Sequence, residues 1–394
     1  MRRVLLIAIA TLALSPATAS AQGVDLTCQF ALTRLDHTTT NVLALDTNAV
    51  YWATHYAAAP GTRIRIEGHY PHARYFSWNV YDAAGRPIDA INDAQLQPDP
   101  GSPGTYTAVV EFGPKPASPA PNTMYTGDSP TGQLWYRVYV PDEGMDQKGG
   151  VPLPRVTLEG PAGGPGPGVE ACRETQAPYL PTPSAPALPD PTDDGNGYPG
   201  RNPPDWRLFE NLCGSAVDIL LDNEDGEAFH PEARERCGDG PGFFSNRDIA
   251  YVFTGTSRGF GEILVLRGRA PTLQQLRYFS FCQYEPATQR VIDCAADPDV
   301  PVGPDGRYTV VVSTAEQRPA NARPECGVTW IEWGPQPQGL LIYRHMLAEP
   351  GFAEAIQNVP EPGAERAVMG EYYPEGEYLE DRGTFEAGGC PAPG

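Results

Sequence analysis

The chain has 394 residues, eight cysteines and a formal net charge of −21. Such a charge disfavours phosphate backbones and anionic lipid heads, so no nucleic acid partner is expected. The length exceeds what one hydrophobic core usually serves, so two domains are expected.

The first residues read MRRVLLIAIATLALSPATASAQ. Arg2 and Arg3 precede an apolar run from Val4 to Leu14, and Ala19-Ser20-Ala21 supplies small residues for cleavage. This pattern predicts a signal peptide over 1–21, removed before Gln22. The run is too short to span a bilayer, and no later segment reaches the ~20 apolar residues a span requires. The mature chain is therefore expected to be soluble and exported, either secreted or periplasmic. Cysteines in that setting read as disulfides, and the absence of any CxxC pair gives a zinc framework no support.

Further along, the chain says nearly the same thing twice. RYFSWNVYDAAGRPID (Arg74 to Asp89) is matched by RYFSFCQYEPATQRVID (Arg277 to Asp293). Before it, GTRIRIEGHYP (Gly61 to Pro71) parallels GEILVLRGRAP (Gly261 to Pro271). After it, GTYTAVV parallels GRYTVVV, and GQLWYRVYV parallels QGLLIYRHML. Four blocks in the same order indicate a duplicated unit. The proline- and glycine-rich stretch between the copies cannot pack a core. The expected organisation is a domain over 22–175, a linker over 176–204 and a second domain over 205–394.

Each block reads as strand, with alternation in RIRIEG and ILVLRG and β-branched runs in YTAVV and YTVVV. In RYFSWNVYD, Phe76, Trp78 and Val80 share one face while Tyr75, Ser77, Asn79 and Tyr81 share the other, which suggests an inner strand. Helix signals are sparse: Pro204 to Leu221, with Asp205 as cap, and a short helix over Phe352 to Val359. The expected fold is mainly β, two tandem jelly-roll-like β-sandwich domains with a few short helices.

FSWNVYDAAGRP, followed by a strand ending YRVYVP, resembles the paired bacterial family of domains of unknown function 1254 and 1214. It is also similar to secreted actinobacterial and proteobacterial proteins that share the YRVYVP and IYRHML strands. The resemblance covers about four strands per copy. It implies an exported double β-sandwich and supplies no catalytic residues. The second copy departs from the motif, with Cys282-Gln283-Tyr284-Glu285 in place of Asn79-Val80-Tyr81-Asp82.

Candidate sites each carry a plainer reading. Asp89 and Asp93 recur as Asp293 and Asp297, and would offer calcium hard oxygen ligands or cap their own turns. Arg137 and Arg344 stand at matching strand positions, either paired with an acid across the sheet or turned to an anion. Glu371, Tyr372, Tyr373, Glu375 and Tyr378 lie in an acidic, tyrosine-rich tail without counterpart in the first copy. They would stack on and hydrogen-bond a sugar, or cover a sheet edge. Ser257 sits in GTSRG, which matches a nucleophile elbow but lacks a following helix. His69 and His72 would chelate a metal only in a tightly folded loop.

Eight cysteines allow 105 pairings. Neighbouring arms of a hairpin suggest Cys282 with Cys294. Bracketing suggests Cys28 with Cys172 and Cys213 with Cys390, which leaves Cys237 with Cys326. Three functions compete: non-catalytic binding of a glycan or other envelope component, a carboxylate-dependent hydrolase with its site between the domains, and a structural or assembly role. No cofactor is expected, unless the repeated aspartates hold calcium. Oligomeric state is not legible from the residues.

Overall fold

A computed structural model of the protein describes residues 32–57, 61–160, 165–170, 174–176, 200–209, 244–286 and 288–390. The expected signal peptide, most of the linker, and Cys28, Cys172, Cys213 and Cys237 lie outside them.

The first half contributes β1 (Leu32–Leu35), β2 (Ala49–Ala57), β3 (Arg63–His69), β4 (Ala73–Asp82), β5 (Pro87–Asn92) and β6 (Thr105–Glu111). It continues with β7 (Thr123–Tyr125), β8 (Thr131–Pro141), β9 (Arg155–Glu159), β10 (Pro165–Glu170) and β11 (Glu174–Gln176). One sheet runs β11-β1-β2-β8-β4-β5 and the other β10-β9-β3-β6-β7.

The second half contributes β12 (Arg207–Leu208), β13 (Ile249–Ser257), β14 (Ile263–Arg269), β15 (Leu276–Tyr284) and β16 (Val291–Ala296). After these come β17 (Arg307–Ser313), β18 (Thr329–Glu332), β19 (Gln338–Ala348) and β20 (Glu375–Leu379). Its sheets run β12-β13-β19-β15-β16 and β18-β17-β14-β20. The order β1-β2-β8-β4-β5 thus recurs as β12-β13-β19-β15-β16. The pairs β6 with β7 and β17 with β18 run parallel at matching places, and in the first half β1 also runs parallel to β11.

The protein is mainly β, two jelly-roll-like sandwiches with few short helices. Period-two alternation puts Ile64 and Ile66 of β3 inward against Trp52, Trp78 and Tyr136 of the facing sheet. Leu264, Leu266, Val310 and Val312 meet Phe279, Phe281 and Tyr343 in the same way. Each such side chain contributes about 1.5–3 kcal/mol on burial. In the first core the Trp78 indole donates to the Tyr106 hydroxyl at 2.9 Å.

One helix expectation fails, and the other, Pro204 to Leu221, lies from 210 onward outside the described residues. Arg207 and Leu208 form strand β12 on the edge of β13. Asp205 caps no helix, because its carboxylate is engaged by Arg207 at 2.5 Å and by the Tyr373 hydroxyl at 3.2 Å. Over Phe352 to Val359 the chain makes only a 3-10 turn, Ile356–Asn358. True α-helix is limited, among the described residues, to α1 (Glu365–Met369) and α2 (Arg382–Glu386).

Cys282 and Cys294 are bonded across β15 and β16, where they stand directly opposite. Cys326, however, is bonded to Cys390. This corrects the expected pairs Cys237 with Cys326 and Cys213 with Cys390. After β20 and α2 the chain end returns beside Cys326, and Asn321 Nδ2 holds the Gly389 carbonyl at 2.7 Å. Bracketing in sequence could not anticipate that return. Two bridges fit maturation in an oxidising compartment.

Strands β4 and β15 each have a second buried face. Tyr75, Ser77, Asn79 and Tyr81 on one, and Tyr278, Ser280, Cys282 and Tyr284 on the other, are inaccessible to solvent. They are covered by the opposite half of the molecule. Tyr75, Tyr81, Trp135 and Tyr139 cluster with Ile249, Tyr278 and Met346. Reciprocal ion pairs rim this seam, Arg277 to Asp93 at 2.6 Å and Arg74 to Asp297. The matching positions make the same contact in both directions, the pattern of a two-fold interface.

Candidate functional site

Two loops reach across the seam, each entering its own sandwich just before an edgeward strand. Ala44 precedes β2 and Phe244 precedes β13, at matching positions, and both adopt a left-handed backbone with φ of 52° and 53°. Such a conformation is unfavourable for residues with a Cβ, by about 1–3 kcal/mol. Here it turns the carbonyl of each residue toward an arginine of the other half.

Arg137 on β8 donates from Nη2 to the Phe244 carbonyl at 2.6 Å and also to the Tyr81 hydroxyl. Arg344 on β19 donates from Nη2 to the Ala44 carbonyl at 2.8 Å and also to the Tyr284 hydroxyl. Aromatic rings surround both guanidinium groups. Arg137 lies 5.3 Å from the Tyr51 ring and 5.4 Å from that of Trp135. Arg344 lies 5.5 Å from the rings of Tyr251 and Tyr284. Cation–π contacts of this kind are worth about 0.5–2 kcal/mol each.

Both arginines are only 3 % exposed. Burial works against the charge of Arg137, but the phenol oxygens of Tyr81, Tyr139, Tyr51 and Tyr251 outweigh it and raise its pKa. Arg344 behaves alike, with burial outweighed by Tyr284 and Asp46. Both stay charged. The acid partner foreseen for them is nearly missing: Asp46 Oδ2 lies 4.0 Å from Arg344 Nη1, and among the described residues Arg137 has no carboxylate within reach. Nε of Arg137 and Nη1 of Arg344 are buried without a hydrogen-bond acceptor.

Between these groups is a cavity of about 80 Å³, lined from both halves. Arg137, Arg344, Tyr51, Tyr139, Tyr251 and Trp135 form its polar and aromatic wall, and Leu45, Leu340 and Ile342 its apolar part. The Tyr51 and Tyr139 hydroxyls are 3.0 Å apart. Burial raises both phenols, so neither ionises near neutrality. Trp135 stacks on Phe244 with ring centres 4.6 Å apart. No Asp, Glu, His or Cys is among the lining residues.

The other expected site residues lie elsewhere, already partnered. Asp89 accepts from Lys115 Nζ at 2.9 Å and from the Tyr125 amide at 3.0 Å. Asp293 accepts from the Cys294 and Glu332 amides, while Asp93 and Asp297 hold the rim arginines. These four do not converge, which corrects the calcium expectation. The strands need their carboxylates to satisfy backbone and cationic donors. Among the described residues the one cluster of metal-ligand types is Asp46, Cys282 and Cys294, and its sulfurs are joined in a disulfide.

The tyrosine-rich tail forms no exposed strip. Strand β20 pairs with β14 in the register Ile263 to Leu379, just as β9 pairs with β3 in the register Arg63 to Glu159. The tail therefore has a counterpart in the first half, contrary to expectation. Tyr373 is buried and accepts from the Trp206 amide at 2.9 Å. Tyr378 accepts from the Ser257 amide at 3.4 Å, and Tyr372 accepts from Gln275 Nε2 at 2.9 Å. Glu371 faces Arg269 and Arg307, and Glu375 faces Arg366. Ser257 is buried and caps a 3-10 turn through the Gly259 amide at 3.1 Å, which is no nucleophile's position. His69 and His72 are exposed.

Of the expected residues, then, only Arg137 and Arg344 come together at a site. Tyr51, Trp135, Phe244 and Asp46 were missed. A readable signal existed: Tyr51 and Tyr251 align once β2 is set against β13, and each stands beside its arginine in the register.

No protein-family model and no curated protein matches this sequence. Among solved structures it is similar to an uncharacterised protein from Burkholderia cenocepacia, at 14% identity and a TM-score of 0.49, covering 84% of this chain and 82% of that one. It is also similar to the VPA0106 protein from Vibrio parahaemolyticus, at 13% identity and a TM-score of 0.45, covering 86% and 92%.

Proposed function

We propose that this is an exported, non-catalytic binding protein that takes part of a glycan or other envelope component into the pocket between its two sandwiches. The observation that carries this reading is the pocket itself, concave, aromatic-walled and built by both halves. A signal peptide over 1–21 would deliver the chain outside the cytoplasm, and duplication of one sandwich unit would account for the matched strands. On the strand motifs alone we group it with the paired family of domains 1254 and 1214.

Carboxylate-dependent hydrolysis draws no support from the described residues. It needs two carboxyl groups about 5–9 Å apart around a substrate, and the pocket lining contains none. An assembly role would call for a broad exposed apolar face. The exposed large apolar residues described are Met145, Leu273 and Val302, far apart in sequence.

The test is thermal unfolding of the mature protein with envelope-type oligosaccharides and their fragments. A ligand that binds only the native state raises the midpoint. One class should raise it, and Trp135→Ala should abolish the shift. If no envelope component moves the midpoint, the binding reading is wrong.

A further inference from the structure

We infer that the group this pocket takes is a monoanionic carboxylate, held jointly by Arg137 and Arg344, one guanidinium from each half. This rests on the reading of the pocket as a binding site and names the chemistry it selects.

The first argument is hydrogen-bond supply. A guanidinium has five N–H donors and no acceptor. At Arg137 the donors used go to Tyr81 and Phe244, leaving Nε unpaired. At Arg344 they go to Tyr284 and Ala44, leaving Nη1 with only the distant Asp46. Leaving a buried charged donor unmet is expensive, and a bound acceptor removes that expense. Tyr51 and Tyr139 add another donor, because a pair of hydroxyls in mutual contact uses one hydrogen and keeps the second. The unmet groups around the cavity are thus donors, and they call for an acceptor-only ligand.

The second argument is charge. Beside the two buried guanidinium groups stands one carboxylate, Asp46, which lies 4.0 Å from Arg344 and is itself shared with the Tyr278 and Ser280 hydroxyls, each at 2.7 Å. The net charge of the group is +1. A carboxylate closes it, whereas a doubly charged phosphate would leave an uncompensated negative charge in a buried place.

Size and wall supply the third argument. At about 80 Å³ the cavity is smaller than the ~150 Å³ that admits benzene in a protein core. It suits a carboxylate with a short apolar body against Leu45, Leu340 and Ile342. The remainder of a larger molecule would stay outside.

The experiment compares acetate, propanoate and benzoate with acetamide, propanamide and benzamide at constant ionic strength. Binding is read from Trp135 fluorescence and from the thermal midpoint. We expect saturable binding of at least one carboxylate, at least tenfold tighter than its amide. Arg137→Gln and Arg344→Gln should each weaken it tenfold or more. Because either change could unfold the protein, Leu340→Trp serves as a second variant, filling the cavity without touching a charge and abolishing binding. Equal response to acid and amide would overturn the inference, as would a preference for inorganic phosphate. A neutral envelope fragment that binds while every carboxylate fails sinks this inference and leaves the binding reading standing. Failure of carboxylates and envelope fragments alike sinks both.

Discussion

The Tyr278 hydroxyl donates to the Asp46 carboxylate at 2.7 Å across the seam between the two sandwiches. Tyr75 makes the matching contact from the other half, to Asp248 at 2.6 Å. The two strands that build the sandwich cores therefore also build the seam, one face for each task. Tyr278→Phe should lower stability by about 1–3 kcal/mol, the range for leaving a buried acceptor short of a donor. Urea unfolding checks this. A variant as stable as wild type would mean that the seam is open in solution.

Gly132 and Gly339 occupy matching positions on β8 and β19 but should not tolerate alanine equally. A Cβ at Gly132 would sit 1.9 Å from the Tyr81 backbone carbonyl, which cannot move without shifting β4. At Gly339 the nearest atoms are side-chain ends, Gln283 Nε2 at 1.9 Å and Thr256 Oγ1 at 2.6 Å. Gly132→Ala is expected to cost about 3 kcal/mol or more and Gly339→Ala about 1 kcal/mol. Paired denaturation curves decide it, and the reverse order would refute the distinction.

The two disulfides close loops of different length, with sequence separations of 64 for Cys326–Cys390 and 12 for Cys282–Cys294. In the chain-entropy view the longer loop contributes about 4 kcal/mol and the shorter about 3. The double serine variant at Cys326 and Cys390 should therefore unfold at the lower denaturant concentration of the two. Peptide mapping of the oxidised protein should recover Cys326 linked to Cys390, and a link to Cys213 or Cys237 instead would disprove the bridge.

His345 is buried in the second core, where its Nδ1 accepts from the Ile356 amide at 3.2 Å. Burial depresses its pKa to about 3. The ordinary value near 6.5 applies to the unfolded chain. Below that value the unfolded chain binds a proton that the folded chain refuses. Stability from this group is full above pH ~6.5 and is lost as pH falls toward 3, by roughly 1.4 kcal/mol per unit. His345→Asn removes the titration. Between pH 7 and pH 5 the wild type should lose about 2 kcal/mol relative to that variant. Parallel pH profiles would show that His345 is solvated.

The strands could be read from the sequence because alternation and β-branching act locally. RIRIEG and ILVLRG became β3 and β14, and the four matched blocks fall at the same places in the two pairs of sheets. The tail was read less well. EGEYL looked like a feature of one half because β9 and β20 share a register but not a sequence, and a strand's place in a sheet is set by its backbone partner rather than by its residues. Asp205 looked like a helix cap for a similar reason: local preference favoured it, but Arg207 and Tyr373 claimed the carboxylate.

The sequence by itself determined the mainly β fold, the matched strands and the pairing of two arginines at equivalent positions. Each follows from period, propensity and self-similarity along the chain. Only the tertiary structure decided what those arginines face. Ala44 and Phe244 come from loops distant in sequence from Arg344 and Arg137, and each is brought to the arginine of the opposite half. Which carbonyl, ring or carboxylate meets a buried guanidinium depends on how two finished sandwiches pack, and that packing is a sum of contacts between residues that no local pattern joins.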